Sequence, residues 1–266
     1  ISEVLNYLKK SFSLILVEFN TPYWEDNFEM NEVQRKEYIN ILSYLSSFNP
    51  TSLEIQPSST IVNDVTNIND LEKFISTLQS KSCKRNIKKA LSYMEDNSIS
   101  FVVKESLNDN ELTEAYSLFK EVASHGNFKG RPFEYYKSLQ ETLPSKVIWY
   151  LMMKDGHIIL ANLAVRDLNT KTSNDLYVGK KMELEEGAIS YGLKYLSFKY
   201  LNENGYKYYD HWGIYLDPKS PKFGFSEFKL KFEGKIINFL PVFAYSKFVP
   251  SFFINFIIKV FSNVNF

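Results

Sequence analysis

Segments with the apolar period of a strand alternate with segments that have the period of a helix along this chain. From residue 99 onwards the pattern predicts a strand, two helices, three strands, a long helix, and then a strand, a helix and a strand. The three successive strands begin with a hairpin in which Val147–Met153 and Ile158–Val165 flank Asp155-Gly156, a dipeptide typical of two-residue turns. This alternation indicates an α/β (α+β) fold with an antiparallel portion in its sheet.

The remaining predicted elements lie on both sides of the hairpin. Asn69 is the predicted N-cap of a short helix, and Gly205 is expected to end a long helix over 184–204 in the left-handed conformation. The other predictions are helices over 3–10, 33–45, 84–96, 111–122, 133–143 and 225–232, and strands over 14–19, 53–55, 61–65, 99–103, 175–178, 207–210 and 235–240.

Length and charge limit the organisation and the partners. With 266 residues the chain can hold one large or two small domains, since a domain has about 150 residues. Because 31 Lys+Arg balance 31 Asp+Glu, bulk charge cannot hold nucleic acid, and only a local patch could. A single cysteine, Cys83, and three scattered histidines lead us to expect neither a disulfide framework nor a metal site. Apolar runs are too short to span a bilayer, and no leader is recognisable, so a cytoplasmic protein is expected.

Four stretches are more specific than the order of elements. They read QPSSTIVNDV at 56–65, KRNIKKA at 84–90, RPFEYY at 131–136, and YYDHWG at 208–213, which leads to GFSEFKLKFEG at 224–234. The order of elements resembles that of GNAT-type acyltransferases. The four stretches, within about residues 50–240, resemble the FemA/FemB/FemX family of peptidoglycan bridge aminoacyltransferases and the related FemAB-like enzymes of surface-polysaccharide pathways.

The resemblance implies a chain with one complete GNAT-like domain and part of a preceding one. We expect the first domain's C-terminal part over 1–75, the complete domain over 76–240 and an aromatic-rich tail over 241–266. The implied activity is transfer of an aminoacyl group from aminoacyl-tRNA to an amine of a peptidoglycan or surface-glycan precursor, with no cofactor. The implied partners are a cell-wall or nucleotide-sugar precursor and the tRNA acceptor end.

Site residues follow from matching the motifs. Arg131 and Tyr135 match family positions that contact the phosphates and peptide of the acceptor, Tyr177 matches a tyrosine of the central strand, and Lys229 matches a lysine that stabilises the reacting centre. Attack by an amine on an ester needs donors or positive charge where the oxyanion develops, which Lys229 and Tyr177 could supply. Asp210 ends a strand and could accept the proton of the amine; its alternative role is to cap the next turn.

Two further groups are assigned to substrate binding. Phe228 shares the apolar side of the last helix with Phe225 and Phe232 and directly precedes Lys229. Lys84 and Arg85 belong to a basic run that could bind a tRNA acceptor stem or a pyrophosphate. The alternative for this run, and for Lys229, is a solvated helix face.

The segment before the long helix bears on the acyl donor. GNAT enzymes that use acyl-CoA carry an Arg/Gln-x-x-Gly-x-Gly/Ala turn there, whereas this chain has VGKKMELEEGA at 178–188. Three glutamates would repel a pyrophosphate, which disfavours acyl-CoA as the donor. An acyl-CoA-dependent N-acyltransferase acting on a nucleotide-linked amino sugar is therefore the alternative enzyme and not the expected one. A non-catalytic GNAT-fold binding or scaffold protein is the alternative outside enzymes. The tail over 241–266 is expected to pack on the first domain or to lie on the inner membrane surface.

Overall fold

The computed structural model describes residues 14–17, 49–50, 57, 59–68, 70–182, 188–220, 223–239 and 243–246. The helices predicted over 3–10 and 33–45 and the strand predicted over 53–55 lie outside the described residues. So do residues 184–187 of the long predicted helix, and all of the tail except Phe243–Ser246.

The described residues form ten strands and six helices. The strands are β1 Leu14–Val17, β2 Asn49–Pro50, β3 Ser59–Asp64, β4 Ser100–Lys104, β5 Val147–Lys154, β6 His157–Asp167, β7 Thr172–Lys180, β8 Tyr208–Asp210, β9 Lys235–Asn238 and β10 Phe243–Ser246. The helices are α1 Leu71–Thr77, α2 Lys81–Asp96, α3 Asp109–His125, α4 Phe133–Thr142, α5 Ile189–Glu203 and α6 Phe223–Leu230. Within this part of the chain no helix has the length and apolar character of a membrane span.

Contacts divide the chain into two compact units. One comprises Ile1–Thr60, Gly213–Ser226 and Ile236–Phe266, and its strands β1, β10 and β2 form an antiparallel sheet in that order. The other comprises Ile61–Trp212 and Glu227–Lys235 and holds the residues discussed below as a site. The domain limits predicted at residues 75 and 240 stay a prediction.

The larger sheet has the order β4-β5-β6-β7-β8-β3-β9. Strands β4 to β7 form an antiparallel meander, and the predicted hairpin is confirmed, with Asp155 and Gly156 at positive φ in its turn. Strand β8 returns parallel to β7 after α5, and the two strands pair only through Thr172–Asn174 and Tyr208–Asp210. Beyond this short ladder β7 continues to Lys180, whereas β8 ends at Asp210.

The core consists of two apolar clusters on opposite faces of the meander. One contains side chains of α1, α2 and α5, and the other contains side chains of α3 and α4. Strand β5 contributes alternate residues to both, which is why Val147–Met152 is buried without interruption. The sequence pattern therefore identified the strand correctly, since a strand covered on both faces is a continuous apolar run.

Two helix starts differ from the prediction because polar side chains cap other positions. The N-cap of α1 is Asp70, whose carboxylate accepts from the Lys73 amide at 2.8 Å, and not Asn69. Helix α2 begins at Lys81 rather than at residue 84, because the Ser80 hydroxyl accepts from the Cys83 amide at 3.2 Å.

Gly234, in the closing motif, lies directly against β3. A Cβ there would lie 2.7 Å from the Val62 carbonyl oxygen and 2.7 Å from Asn63 Oδ1. We expect Gly234→Ala to lower the free energy of unfolding by about 2 kcal/mol, as overpacking typically does, measured by urea denaturation. Gly224→Ala is the matched control, since a Cβ at this position in α6 meets no atom within 4 Å. Equal stability of the two variants would contradict the close-approach argument.

Candidate active site

Arg131, Tyr135 and Tyr177 meet at one place, although they come from two elements. Arg131 precedes α4, Tyr135 lies in the first turn of that helix, and Tyr177 lies on β7. The Tyr177 hydroxyl donates to the Tyr135 hydroxyl at 3.3 Å, and the Arg131 guanidinium lies over the Tyr135 ring, 5.5 Å from its centroid. All three are exposed or half-buried, so a ligand can reach them. We call these three residues the Arg131 cluster.

The Arg131 cluster is suited to bind an anion. The hydrogen bond with Tyr177 raises the pKa of the Arg131 guanidinium, which keeps its charge. Burial, followed by the hydrogen bond with Tyr177, raises the pKa of Tyr135 to about 12, so this phenol remains protonated at neutral pH. A planar charged fork beside a phenol donor matches the oxygens of a phosphate or a carboxylate.

A bulge in β7 turns Tyr177 towards the α3–α4 side. Leu163 of β6 pairs with Tyr177 while the next residue, Ala164, pairs with Asp175, so Leu176 is the extra residue of β7. Without the bulge Asp175 and Tyr177 would share one face of the sheet. With it, the Tyr177 ring packs on Phe119 and Tyr136, whereas Asp175 contacts α5.

Asp175 belongs to a buried polar network that the sequence did not predict. The Lys194 ammonium donates to the Asp175 carboxylate and, at 3.1 Å, to Asn162 Oδ1. The Tyr209 hydroxyl also donates to Asp175, at 2.7 Å. All four side chains are almost completely buried, and burial lowers the pKa of Lys194 while Asp175 opposes that effect. Asp175 directly follows the last β7–β8 pair, so the network lies at the end of this ladder.

Lys229 lies in the last turn of α6 and is half-buried. Its ammonium donates to the Trp212 carbonyl oxygen at 3.2 Å. Burial lowers the pKa of Lys229 to about 8; Asp175 and Asp210 oppose this effect, and Lys194 adds to it. At neutral pH Lys229 is therefore a mostly protonated, half-buried cation.

Asp210 shapes the turn that follows β8. Its carboxylate accepts from the Trp212 amide at 2.7 Å, which is the turn-capping bond expected of an aspartate two residues earlier in the chain. Trp212 has φ +60, a left-handed conformation that is an outlier for a bulky residue. Asp210 and Lys229, both predicted as catalytic, thus each bond the backbone of one strained residue.

His211 is a core residue and not a base exposed to substrate. It is completely buried among Phe198, Tyr209 and Phe232, and its Nε2 is 2.8 Å from Asn63 Oδ1. Burial lowers the pKa of His211 strongly, and Lys194 and Lys229 add to that effect, so the ring is neutral.

The other predicted binding residues lie apart from the Arg131 cluster. Lys84, half-buried, and Arg85, exposed, lie in α2. Phe228 packs against Tyr191 at the border of the core. The prediction that Phe225 shares this apolar side is wrong: its side chain is 53% exposed, because Ser226 takes the buried position in that part of α6.

Two other features concern anions and metals. The Met182 amide, just after β7, donates to Glu121 of α3 at 2.7 Å. A carboxylate of the chain itself therefore occupies this backbone donor. The described residues contain no group of three or more His, Cys, Asp or Glu side chains that could hold a metal ion.

Sequence reasoning missed the buried network and Trp212. A signal for Lys194 was present, because this lysine interrupts an apolar run between Leu193 and Tyr195 in the long helix. A charged residue within a buried stripe needs a partner of opposite charge. Identifying Asp175 as that partner required the three-dimensional register.

Sequence comparison gives no relative, since no family profile and no curated protein sequence matches the chain. Structure comparison finds chains of similar fold. A crystal structure of FemX matches over 97% of this chain and 79% of that chain, with a TM-score of 0.66 and 14% identity. The C-terminal domain of a putative lysylphosphatidylglycerol synthetase from Agrobacterium fabrum matches with a TM-score of 0.53 and 15% identity, over 77% of this chain and 64% of that chain.

A tandem GNAT protein from the clavulanic acid biosynthesis pathway is also similar, with a TM-score of 0.50 and 9% identity over 92% of this chain and 68% of that chain. At these identities the comparisons establish the fold alone. The resemblance identified from the four sequence motifs is thus confirmed at the level of architecture, and this chain has the FemX-like, GNAT-type fold.

Proposed function

We propose that this protein transfers an aminoacyl group from aminoacyl-tRNA to an amine of a peptidoglycan or surface-glycan precursor. The observation that carries the proposal is the meeting of Arg131, Tyr135 and Tyr177 at one ligand-accessible place. Arg131 and Tyr135, in the motif RPFEYY, match family positions that contact the acceptor, and Tyr177 matches a tyrosine of the central strand. The proposed location is the cytoplasm, where aminoacyl-tRNA is made, with the tail over 241–266 as a proposed peripheral membrane contact.

The proposed reaction is direct attack. The neutral amine of the acceptor forms a C–N bond with the carbonyl carbon of the aminoacyl ester, and the C–O bond to the terminal ribose breaks. The ribose hydroxyl takes up the proton that the amine loses, so an amide and a free tRNA result. Negative charge develops on the carbonyl oxygen and then on the leaving oxygen, and both are stabilised by a nearby cation.

The predicted site residues other than Phe228 have a place in this scheme. Lys229 is proposed to stabilise the oxyanion, because it is a half-buried cation at the point where β8 ends. The Arg131 cluster is proposed to hold phosphate or carboxylate groups of the acceptor, with the Tyr177 phenol as a second donor near the reacting carbonyl. Asp210 is proposed to hold the turn in which the Trp212 carbonyl oxygen faces Lys229. Lys84 and Arg85 stay the proposed contact for the tRNA acceptor stem.

The contact of Met182 with Glu121 supports aminoacyl-tRNA over acyl-CoA. The amide that follows β7 already donates to a carboxylate, and that negative charge would repel a diphosphate at this place. Three more glutamates follow between 183 and 186.

We expect Arg131→Lys to raise the KM for the acceptor about 10- to 100-fold with a smaller change in kcat. A lysine keeps the charge but loses the planar fork, and a hydrogen bond to a charged group is worth about 1.5–3 kcal/mol. Tyr135→Phe is expected to raise the KM less, since it removes one neutral hydroxyl. The measurement is transfer of a labelled aminoacyl group from charged tRNA to nucleotide-linked and lipid-linked muropeptides at varied acceptor concentration.

Lys137→Met is the matched control, because Lys137 lies on the same helix but pairs with Asp109 at 3.0 Å. It should leave the KM unchanged. An unchanged KM in Arg131→Lys, with active wild-type enzyme, would remove the Arg131 cluster from the acceptor site. Absence of transfer from every aminoacyl-tRNA to every acceptor tested would contradict the proposed function.

A further inference from the structure

Trp212 combines a strained backbone with an accessible ring. It is the only aromatic residue among the described non-glycine residues with φ between +20° and +160°. Trp212 is 41% exposed, and no other aromatic ring packs on its indole within the described part of the chain. A bulky residue in this conformation persists where surrounding contacts enforce it, and such residues concentrate at binding and catalytic sites.

The contacts that enforce the conformation come from the proposed catalytic residues. The Asp210 carboxylate accepts from the Trp212 amide at 2.7 Å, and the Trp212 carbonyl accepts from the Lys229 ammonium at 3.2 Å. The backbone of Trp212 is therefore held in contact with the cation that is proposed to stabilise the oxyanion. An accessible indole buries only part of its apolar area, so it contributes less to folding than a buried ring would. Folding alone therefore does not account for an indole at this position.

We propose that Trp212 is a stacking platform for the adenine of the terminal adenosine of aminoacyl-tRNA. The inference rests on the proposed function, which brings the aminoacyl ester to Lys229. The ribose that carries this ester also carries the adenine, so a planar base lies at a short, fixed distance from the reacting carbonyl. An indole beside Lys229 has the shape and polarisability to stack on such a base.

The chemistry favours the donor over the acceptor as the source of the ring. The reacting amine of a peptide or amino-sugar acceptor carries no planar ring next to it, whereas the terminal nucleoside of every charged tRNA is the same adenosine.

The test uses hydrolysis-resistant probes and the full chain. The probes are 3′-aminoacylamino-3′-deoxyadenosine, in which an amide replaces the ester, and the same compound without the base. Binding is measured by calorimetry for the wild type and for Trp212→Phe, Trp212→Leu and Trp212→Ala. We expect Trp212→Ala and Trp212→Leu to bind the adenosine probe about 5- to 150-fold more weakly, while Trp212→Phe stays within about 3-fold.

Leucine is the decisive variant, because it keeps an apolar side chain and the same backbone demand but removes the ring. Phenylalanine and leucine also keep the test valid if the alanine variant folds poorly. All four proteins should bind the base-free probe equally weakly. Equal affinity of the wild type for both probes, or an unchanged affinity in Trp212→Leu, would overturn the platform.

Transfer from intact aminoacyl-tRNA separates this inference from the proposed function. If the wild type transfers and Trp212→Leu has the same KM for charged tRNA, the platform is wrong while the function stands. If the wild type transfers nothing but its binding of the adenosine probe depends on Trp212, the platform stands while the proposed reaction is wrong. The expected result is transfer by the wild type with a raised KM for charged tRNA in Trp212→Leu.

Discussion

Replacing Lys229 with methionine is expected to lower kcat at least 100-fold without lowering the stability of the protein. Removing one donor from an oxyanion site typically decreases kcat by about 100- to 1,000-fold. Methionine fills a similar volume, so the contacts of the aliphatic part of the side chain are kept. The measurement is steady-state transfer, with thermal and urea unfolding of the same preparations, and acceptor binding is expected to stay within a few-fold.

The effect on stability follows from the sign of the pKa shift. Burial lowers the pKa of Lys229 from 10.5 to about 8 in the folded protein, so the charged form is disfavoured there relative to the unfolded chain. Between these two values the unfolded chain binds more protons, and stability rises with pH. At pH 7 the penalty is present in full and amounts to about 3.4 kcal/mol at most. Lys229→Met removes it, so an unchanged or higher Tm is expected.

The same shift predicts the pH dependence of transfer. If the ammonium stabilises the oxyanion, activity falls as pH rises through about 8, because Lys229 then loses its proton. Lys229→Arg keeps a positive charge over this range and should lose that descending limb, even if kcat is lower. If the descending limb of the pH profile persists unchanged in Lys229→Arg, that limb belongs to the titration of another group. Full turnover in Lys229→Met would exclude a catalytic role for Lys229.

The order of elements could be predicted from the sequence because each signal was local. The Asp155-Gly156 turn and the Gly205 helix end depend on residues a few positions apart, and both are found, with φ +80 at Gly156 and φ +73 at Gly205. Helix starts were less certain, since neighbouring polar residues compete as caps. Asp70 and Ser80 are the N-caps because their side chains accept hydrogen bonds from free amides of the first turn.

The site could be predicted only in part, for a physical reason. Motif matching selected Arg131, Tyr135 and Tyr177, but their meeting depends on the bulge at Leu176, which reverses the face on which Tyr177 lies. Strand period alone would have placed Tyr177 beside Asp175. The lowered pKa of Lys229 likewise arises from burial and, to a smaller extent, from the charge of Lys194, while Asp175 and Asp210 oppose it; none of these residues is near Lys229 in sequence.

Lys194→Met is expected to lower the free energy of unfolding by about 3–5 kcal/mol, because it leaves the Asp175 carboxylate buried without its cation. Lys199→Met, on the same helix, is the matched control: Lys199 is partly exposed and its contact with Glu203 is 3.9 Å, so a change below about 0.5 kcal/mol is expected. Both values come from urea denaturation at pH 7.

The double variant Lys194→Met with Asp175→Leu distinguishes the cause of that loss. If the cost lies in an unpaired buried charge, removing both charges should restore a large part of the stability, although Asn162 and Tyr209 then lose a partner. If the double variant is as unstable as Lys194→Met, packing around Lys194 and not charge pairing holds this region. Since the network lies at the end of the β7–β8 ladder, a restored double variant should still transfer less well than the wild type, because only the hydrogen bond from Tyr209 to Asn162, at 3.1 Å, then remains of the network's side-chain contacts near Lys229.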